Sequence, residues 1–177
     1  MEIVKLRKFI DARGEESTNK YLSSFTCEIN KDVESFLHEN AVECENRHYT
    51  RTYLVIDEQN NFDIIGYYTL KTSYFAFEGN VSKTTKQRLV QNKEAVGFES
   101  ILIAQLGRSD QYKGIVPGKE ILKEALHACK QIFESVALRI VTVEYNPTPN
   151  LRDFYLSNGF KELQKTQNGN MMSYIRF

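Results

Sequence analysis

The chain has no tryptophan, only three prolines and three cysteines, and no surplus of charge of either sign. Each shortage excludes something. Cys27, Cys44 and Cys129 form no C-x-x-C pair and are odd in number, which argues against a disulfide framework or a paired-thiol metal site. His38, His48 and His127 lack the spacing of a zinc or catalytic cluster, so no metal is expected. The N-terminus MEIVKLRKFI has no long apolar segment of the secretory kind, and no run approaches the ~20 apolar residues that span a bilayer. A soluble protein of the reducing cytoplasm, without a membrane partner, is the expectation. Lys and Arg together number 23, as do Asp and Glu, so no overall field draws nucleic acid and any anion site must be local. At 177 residues the chain is expected to form one domain, 1–177, with a core large enough to need no cross-link.

What is present is organised around Phe98 to Leu126. An apolar strand-type run, Ile101-Leu102-Ile103-Ala104, leads into a polar loop and then, past Pro117-Gly118, into a helix with Ile121, Leu122, Ala125, Leu126, Cys129, Ile132 and Phe133 as its apolar residues. A helix N-terminus after a loop with free backbone N–H groups suits phosphate, so a phosphorylated ligand is expected.

Upstream, Met1 to Ile10 reads as a strand broken at Arg13-Gly14, and Asn30 caps a helix through Val33, Phe36 and Leu37 that runs into the mid-forties. Thr50 to Ile56 and Phe62 to Thr72 read as an antiparallel hairpin. Gly79 to Gly97 is a long connection or short helix, made basic by Lys83, Lys86, Arg88 and Lys93. Downstream come a strand, Leu138 to Glu144, a short helix, Leu151 to Ser157, and a second hairpin, Phe160 to Leu163 with Met171 to Phe177, turning at Asn168-Gly169. The order implies a mixed α/β (α+β) fold, a central twisted mixed sheet flanked by helices.

The loop Gln111-Tyr112-Lys113-Gly114-Ile115-Val116-Pro117-Gly118 resembles the R/Q-x-x-G-x-G/A pyrophosphate loop of the GNAT acetyltransferases. Gln111 and Gly114 match it. Val116 does not, and taking Gly118 as the third glycine makes the loop two residues longer than the family pattern. Asn150 to Tyr155 with Gly159-Phe160 is similar to the GNAT ending N-x-x-x-F-Y-x-x-x-G-F. Phe25-x-Cys27, Phe36-Leu37, Ala41, Thr52 to Val55, Gly66 to Leu70 and Leu102 to Leu106 follow the pattern of toxin-like GNAT proteins, so that the resemblance covers roughly residues 25 to 177.

The resemblance implies a GNAT acyl-CoA N-acyltransferase-like fold and an N-acetyltransferase that moves acetyl from acetyl-CoA to a primary amine by direct attack. The acceptor is a protein amine, a small metabolite or, as in characterised members of the toxin-like subgroup, aminoacyl-tRNA. It also allows a homodimer. By the same resemblance, backbone groups of Leu106 and Arg108 meet pantetheine and the acetyl oxygen, and amides from Tyr112 to Gly118, Ile115 among them, hold the diphosphate. Gln111 belongs to that motif, Lys113 and Lys119 add charge, and Asn150 faces the coenzyme while also capping its helix. Tyr155 is the expected proton donor to the leaving thiolate, with Phe154 expected to fill the core beside it. No general base stands out, since Glu99 and Glu144 read as strand-end carboxylates and water can serve. Tyr67, Tyr68, Tyr74, Phe75 and Phe77 line the acceptor cleft or belong to the sheet core. A non-catalytic acyl-CoA-binding module is the rival reading.

Overall fold

In the computed structural model, which describes residues Met1–Phe177, the chain opens with a short strand, β1 (Glu2–Lys5), and turns at once into a helix, α1 (Leu6–Leu22). This corrects the expectation of a strand to Ile10. Leu6, Phe9 and Ile10 are buried at helical spacing, and their apparent alternation came from a helix face instead. Gly14, at φ 78°, kinks the helix where the strand was expected to break. The contacts divide the chain into two compact units, Met1–Lys71 with Ala104–Ala125, and Thr72–Ile103 with Leu126–Phe177.

In the first unit, Asn30 accepts a hydrogen bond from the Val33 amide and starts α2 (Lys31–Ser35). A single π-helical turn, Phe36–Asn40, joins it to α3 (Ala41–Asn46). The hairpin follows as β2 (Arg51–Asp57) and β3 (Asp63–Ala76), antiparallel from Arg51↔Leu70 with a register shift at Val55/Ile56. Thr52 and Thr69 hydroxyls meet at 3.0 Å across it, and Tyr53 stacks on Tyr68 at 4.9 Å. Leu6, Phe25, Leu37, Leu54 and Tyr67, all fully buried, form the core of this unit.

In the second unit, the basic connection is a helix, α4 (Lys83–Val90), capped by Ser82 through the Thr85 amide at 3.1 Å. β4 (Gly97–Arg108) passes from this unit into the first, and α5 (Gly118–Val136) passes back. β5 (Ile140–Tyr145) pairs in parallel with β4 at Ile101↔Val141 and Leu102↔Thr142. Parallel neighbours require a crossover, which α5 supplies. α6 (Pro149–Ser157) precedes the closing hairpin of β6 (Lys161–Lys165) and β7 (Met171–Arg176). Leu89, Phe98, Ile140 and Met172 form its core, with Phe75 and Phe77 packed against them. Of the aromatics after the first hairpin, Tyr67 and Tyr68 are thus core, while Tyr74 is 54% exposed. The strands lie in one mixed sheet, β1-β2-β3-β4-β5-β7-β6.

Candidate functional site

The end of β4 is held by glycine. A Cβ on Gly107 would stand 2.5 Å from Val33 and 3.2 Å from the rings of Phe25 and Tyr67, and one on Gly66 would stand 2.4 Å from the Gly107 carbonyl oxygen. The chain then leaves the strand in a fixed direction. Ser109 N–H donates to Ile65 O at 2.8 Å, Asp110 N–H donates to Thr26 O at 2.9 Å, and the Asp110 carboxylate accepts from Glu28 N–H at 2.8 Å.

Beyond that anchor the loop folds on itself, with a 3-10 turn at Asp110–Tyr112. The amides of Tyr112 and Lys113 donate to Ser109 O and Asp110 O, and those of Ile115 and Val116 both donate to Tyr112 O. These donors are therefore committed to the loop's own turns and are not open to a diphosphate, which narrows the donor set expected from the sequence. Gly114, Gly118 and Lys119 carry amides outside that internal pattern. Gly114 sits at φ 81°, which favours glycine, and a Cβ there would meet nothing within 4 Å, so the space before the loop is clear.

Gln111, Lys113, Ile115 and Lys119 are exposed and Leu106 and Gly118 are half-buried. Arg108 is half-buried too: its Nη1 donates to Val116 O at 3.1 Å, while its Nε is sealed from solvent without a partner. The Tyr112 side chain is buried. Burial raises its pKa, opposed by the hydrogen bond from Asn60 and reinforced by the one to Asp57, so the phenol stays protonated. The loop and its anchors all belong to the first unit.

Tyr155 and Asn150 belong to the second unit. α6 starts at Pro149 with Thr148 as its N-cap residue, so Asn150 lies inside the first turn, exposed, and its capping role is corrected. The packing of the adjacent aromatics is corrected too: Tyr155 is buried and Phe154 is half-buried. The Tyr155 ring lies 4.6 Å from Tyr145, 5.1 Å from Phe154 and 5.5 Å from Phe160. Its hydroxyl is not among the side-chain atoms sealed away without a partner. Burial pushes its pKa well up, and the neighbouring Tyr145 adds to the effect.

Glu99 and Glu144 are exposed strand residues, as expected. His38 Nε2 donates a hydrogen bond to the Phe25 carbonyl oxygen, 2.9 Å away, which is a structural contact. Cys129 is fully buried and its thiol is pushed up to about 12 by that burial. No group of three or more His, Cys, Asp or Glu could hold a metal ion.

No protein-family model matches the chain. Solved structures do. AtaT complexed with acetyl-methionyl-tRNAfMet superposes with TM-score 0.75 at 19% identity, over 99% of this chain and 94% of that one. A mutant of KacT gives 0.73 at 18%, over 99% and 95%. AtaTR bound with AcCoA gives 0.70 at 20%, over 99% and 92%. At this identity the likeness shows the fold alone: this chain shares the mixed α/β fold of those structures.

Proposed function

We propose that this protein is an acetyl-CoA-dependent N-acetyltransferase whose acceptor is the amino group of an aminoacyl-tRNA. The observation that carries the coenzyme part is the loop before α5. Its glycine-bearing turn leaves the amides of Gly114, Gly118 and Lys119 outside the internal hydrogen bonds, at the positive end of a 19-residue helix. Arg108, Lys113 and Lys119 add formal positive charge around an otherwise main-chain site. The residues present therefore fit a diphosphate.

Acetyl-CoA supplies the thioester that an amine attacks and the thiolate that departs when the C–S bond breaks. The protein's share is to hold the reactants together, orient the carbonyl and manage protons. Tyr155 keeps a proton on its phenolic oxygen throughout the neutral range, because burial disfavours the phenolate, and it passes that proton to the sulfur. The surplus proton of the attacking amine goes to water, and water returns a proton to the Tyr155 oxygen, which restores the phenol and balances the step. The acceptor assignment is supported by the fold shared with AtaT, which is known complexed with acetyl-methionyl-tRNAfMet.

The test is to incubate the protein with acetyl-CoA and charged tRNA and follow the mass of the aminoacyl group, with Gly114→Glu as control. Acetylated aminoacyl-tRNA is expected with the wild type. Gly114→Glu is expected to stay folded yet show no heat of acetyl-CoA binding in calorimetry, since a carboxylate would occupy the diphosphate position. Transfer to free amino acids or proteins but not to charged tRNA would overturn the acceptor. Absence of coenzyme binding by the wild type would overturn the whole reading.

A further inference from the structure

We infer that Tyr112 is a positioning residue for the coenzyme loop, its side chain pinning residues 111–118 to the turn between β2 and β3. The inference rests on the acetyl-CoA reading above. The Tyr112 hydroxyl donates to Asp57 Oδ2 at 3.1 Å and accepts from Asn60 Nδ2 at 3.3 Å. Asp57 ends β2 and Asn60 lies in the turn that follows it, and that turn is itself braced. Asn60 Nδ2 also donates to Asp63 Oδ2 at 2.7 Å, Asp57 Oδ1 accepts from the Gln59 amide at 3.1 Å, and the Tyr21 hydroxyl of α1 donates to Phe62 O at 2.5 Å.

On the loop side, Tyr112 is the hub. Its carbonyl receives the amides of both Ile115 and Val116, and this double acceptance folds the chain so that Gly114 projects with φ 81°. The same residue therefore shapes the turn through its main chain and ties it to the hairpin through its side chain. Pinning matters because a loop that binds through main-chain amides gains affinity from being ordered before the ligand arrives. A phenol donating to a carboxylate is a charge-assisted bond, the stronger kind.

Tyr112→Phe removes the tie and keeps the ring. The expected result is ~10-fold weaker acetyl-CoA binding with kcat at saturating coenzyme unchanged, as one charge-assisted bond would give. Asp57→Ala should reproduce this, Asp57→Asn, which retains an acceptor oxygen, should largely restore affinity, and the Tyr112→Phe/Asp57→Ala double variant should be no weaker than either alone. Amide hydrogen exchange across 111–118 should speed up in Tyr112→Phe while β4 and α5 keep theirs. Wild-type affinity in Tyr112→Phe, or a fall in kcat with affinity intact, overturns the inference. Should the wild type itself bind no acetyl-CoA, the proposed activity falls, and unchanged exchange across the loop in Tyr112→Phe would overturn the pinning on its own.

Discussion

In the proposed reaction, Tyr155 carries the chemistry that belongs to a single side chain. A helix presents adjacent residues about 100° apart, so Phe154 and Tyr155 cannot share a direction, and here the tyrosine takes the inner one. Its ring is surrounded by Tyr145, Phe154 and Phe160, which hold the phenol in place. Tyr155→Phe keeps all of that packing and removes only the hydroxyl. Coenzyme affinity and thermal stability should hold while turnover falls by ~10²- to 10⁴-fold, the range for a positioned proton donor. Single-turnover rates against the charged acceptor measure it, and a wild-type rate would return Tyr155 to a packing role. Because burial raises this pKa, the acid stays protonated as pH rises through neutrality, so the wild-type rate should show no alkaline fall attributable to Tyr155 below its ordinary ~10.

At the scale of elements, the geometry of the loop depends on how closely β3, β4 and α2 approach in the first unit. Gly107 is the contact point. With Val33 at 2.5 Å from any added Cβ, the turn of α2 that bears Val33 could not sit where it does beside a larger residue. Gly107→Ala is therefore expected to cost about 1–3 kcal/mol by forced repacking, read as a lower urea midpoint with unchanged slope. Its φ is not in the left-handed region, so the cost is steric and not conformational. A midpoint equal to wild type would mean that α2 slides away without penalty.

For the molecule as a whole, equal numbers of acids and bases conceal a local surplus on one helix. Lys83 is paired with Glu94 at 2.8 Å, and Lys86 lies over the Phe77 ring at 5.1 Å. Arg88 and Lys93 are exposed, and Arg176 brings a further cation by donating to the Arg88 carbonyl at 2.7 Å. If the proposed acceptor is tRNA-linked, phosphate contacts should fall on this end of α4. Binding should weaken by at least an order of magnitude between 50 and 200 mM salt for about three contacts, and Arg88→Ala with Lys93→Ala should flatten the salt slope by about one per residue removed. Filter binding across a salt series decides it, and an unaltered slope in the double variant would move the contacts elsewhere.

Local signals in the chain sufficed for the elements whose cause is local. The Asn30 cap, the apolar stripe of α5 and the Asn168-Gly169 turn are each written in a few adjacent residues, and the structure places them accordingly. The glycine-bearing loop before α5 was legible for the same reason. What failed were ambiguities of period: the apolar residues Ile3, Val4, Leu6, Phe9 and Ile10 read as one strand until Leu6, Phe9 and Ile10 found a core to bury against as a helix face. The choice between Phe154 and Tyr155 was also tertiary, because two adjacent aromatics both suit an interior and only the neighbours decide which enters. The anchoring of Tyr112 had no sequence signal whatever. Its partners lie 55 and 52 positions away in a turn that reads as polar punctuation, and only the folding of the hairpin against the loop turns Asp57 and Asn60 into ligands for a phenol. Short-range chemistry thus specified the loop and, through turns closed three or four residues apart, the amides it leaves open, whereas its anchoring to the hairpin was decided by hydrogen bonds that exist only once the chain has closed on itself.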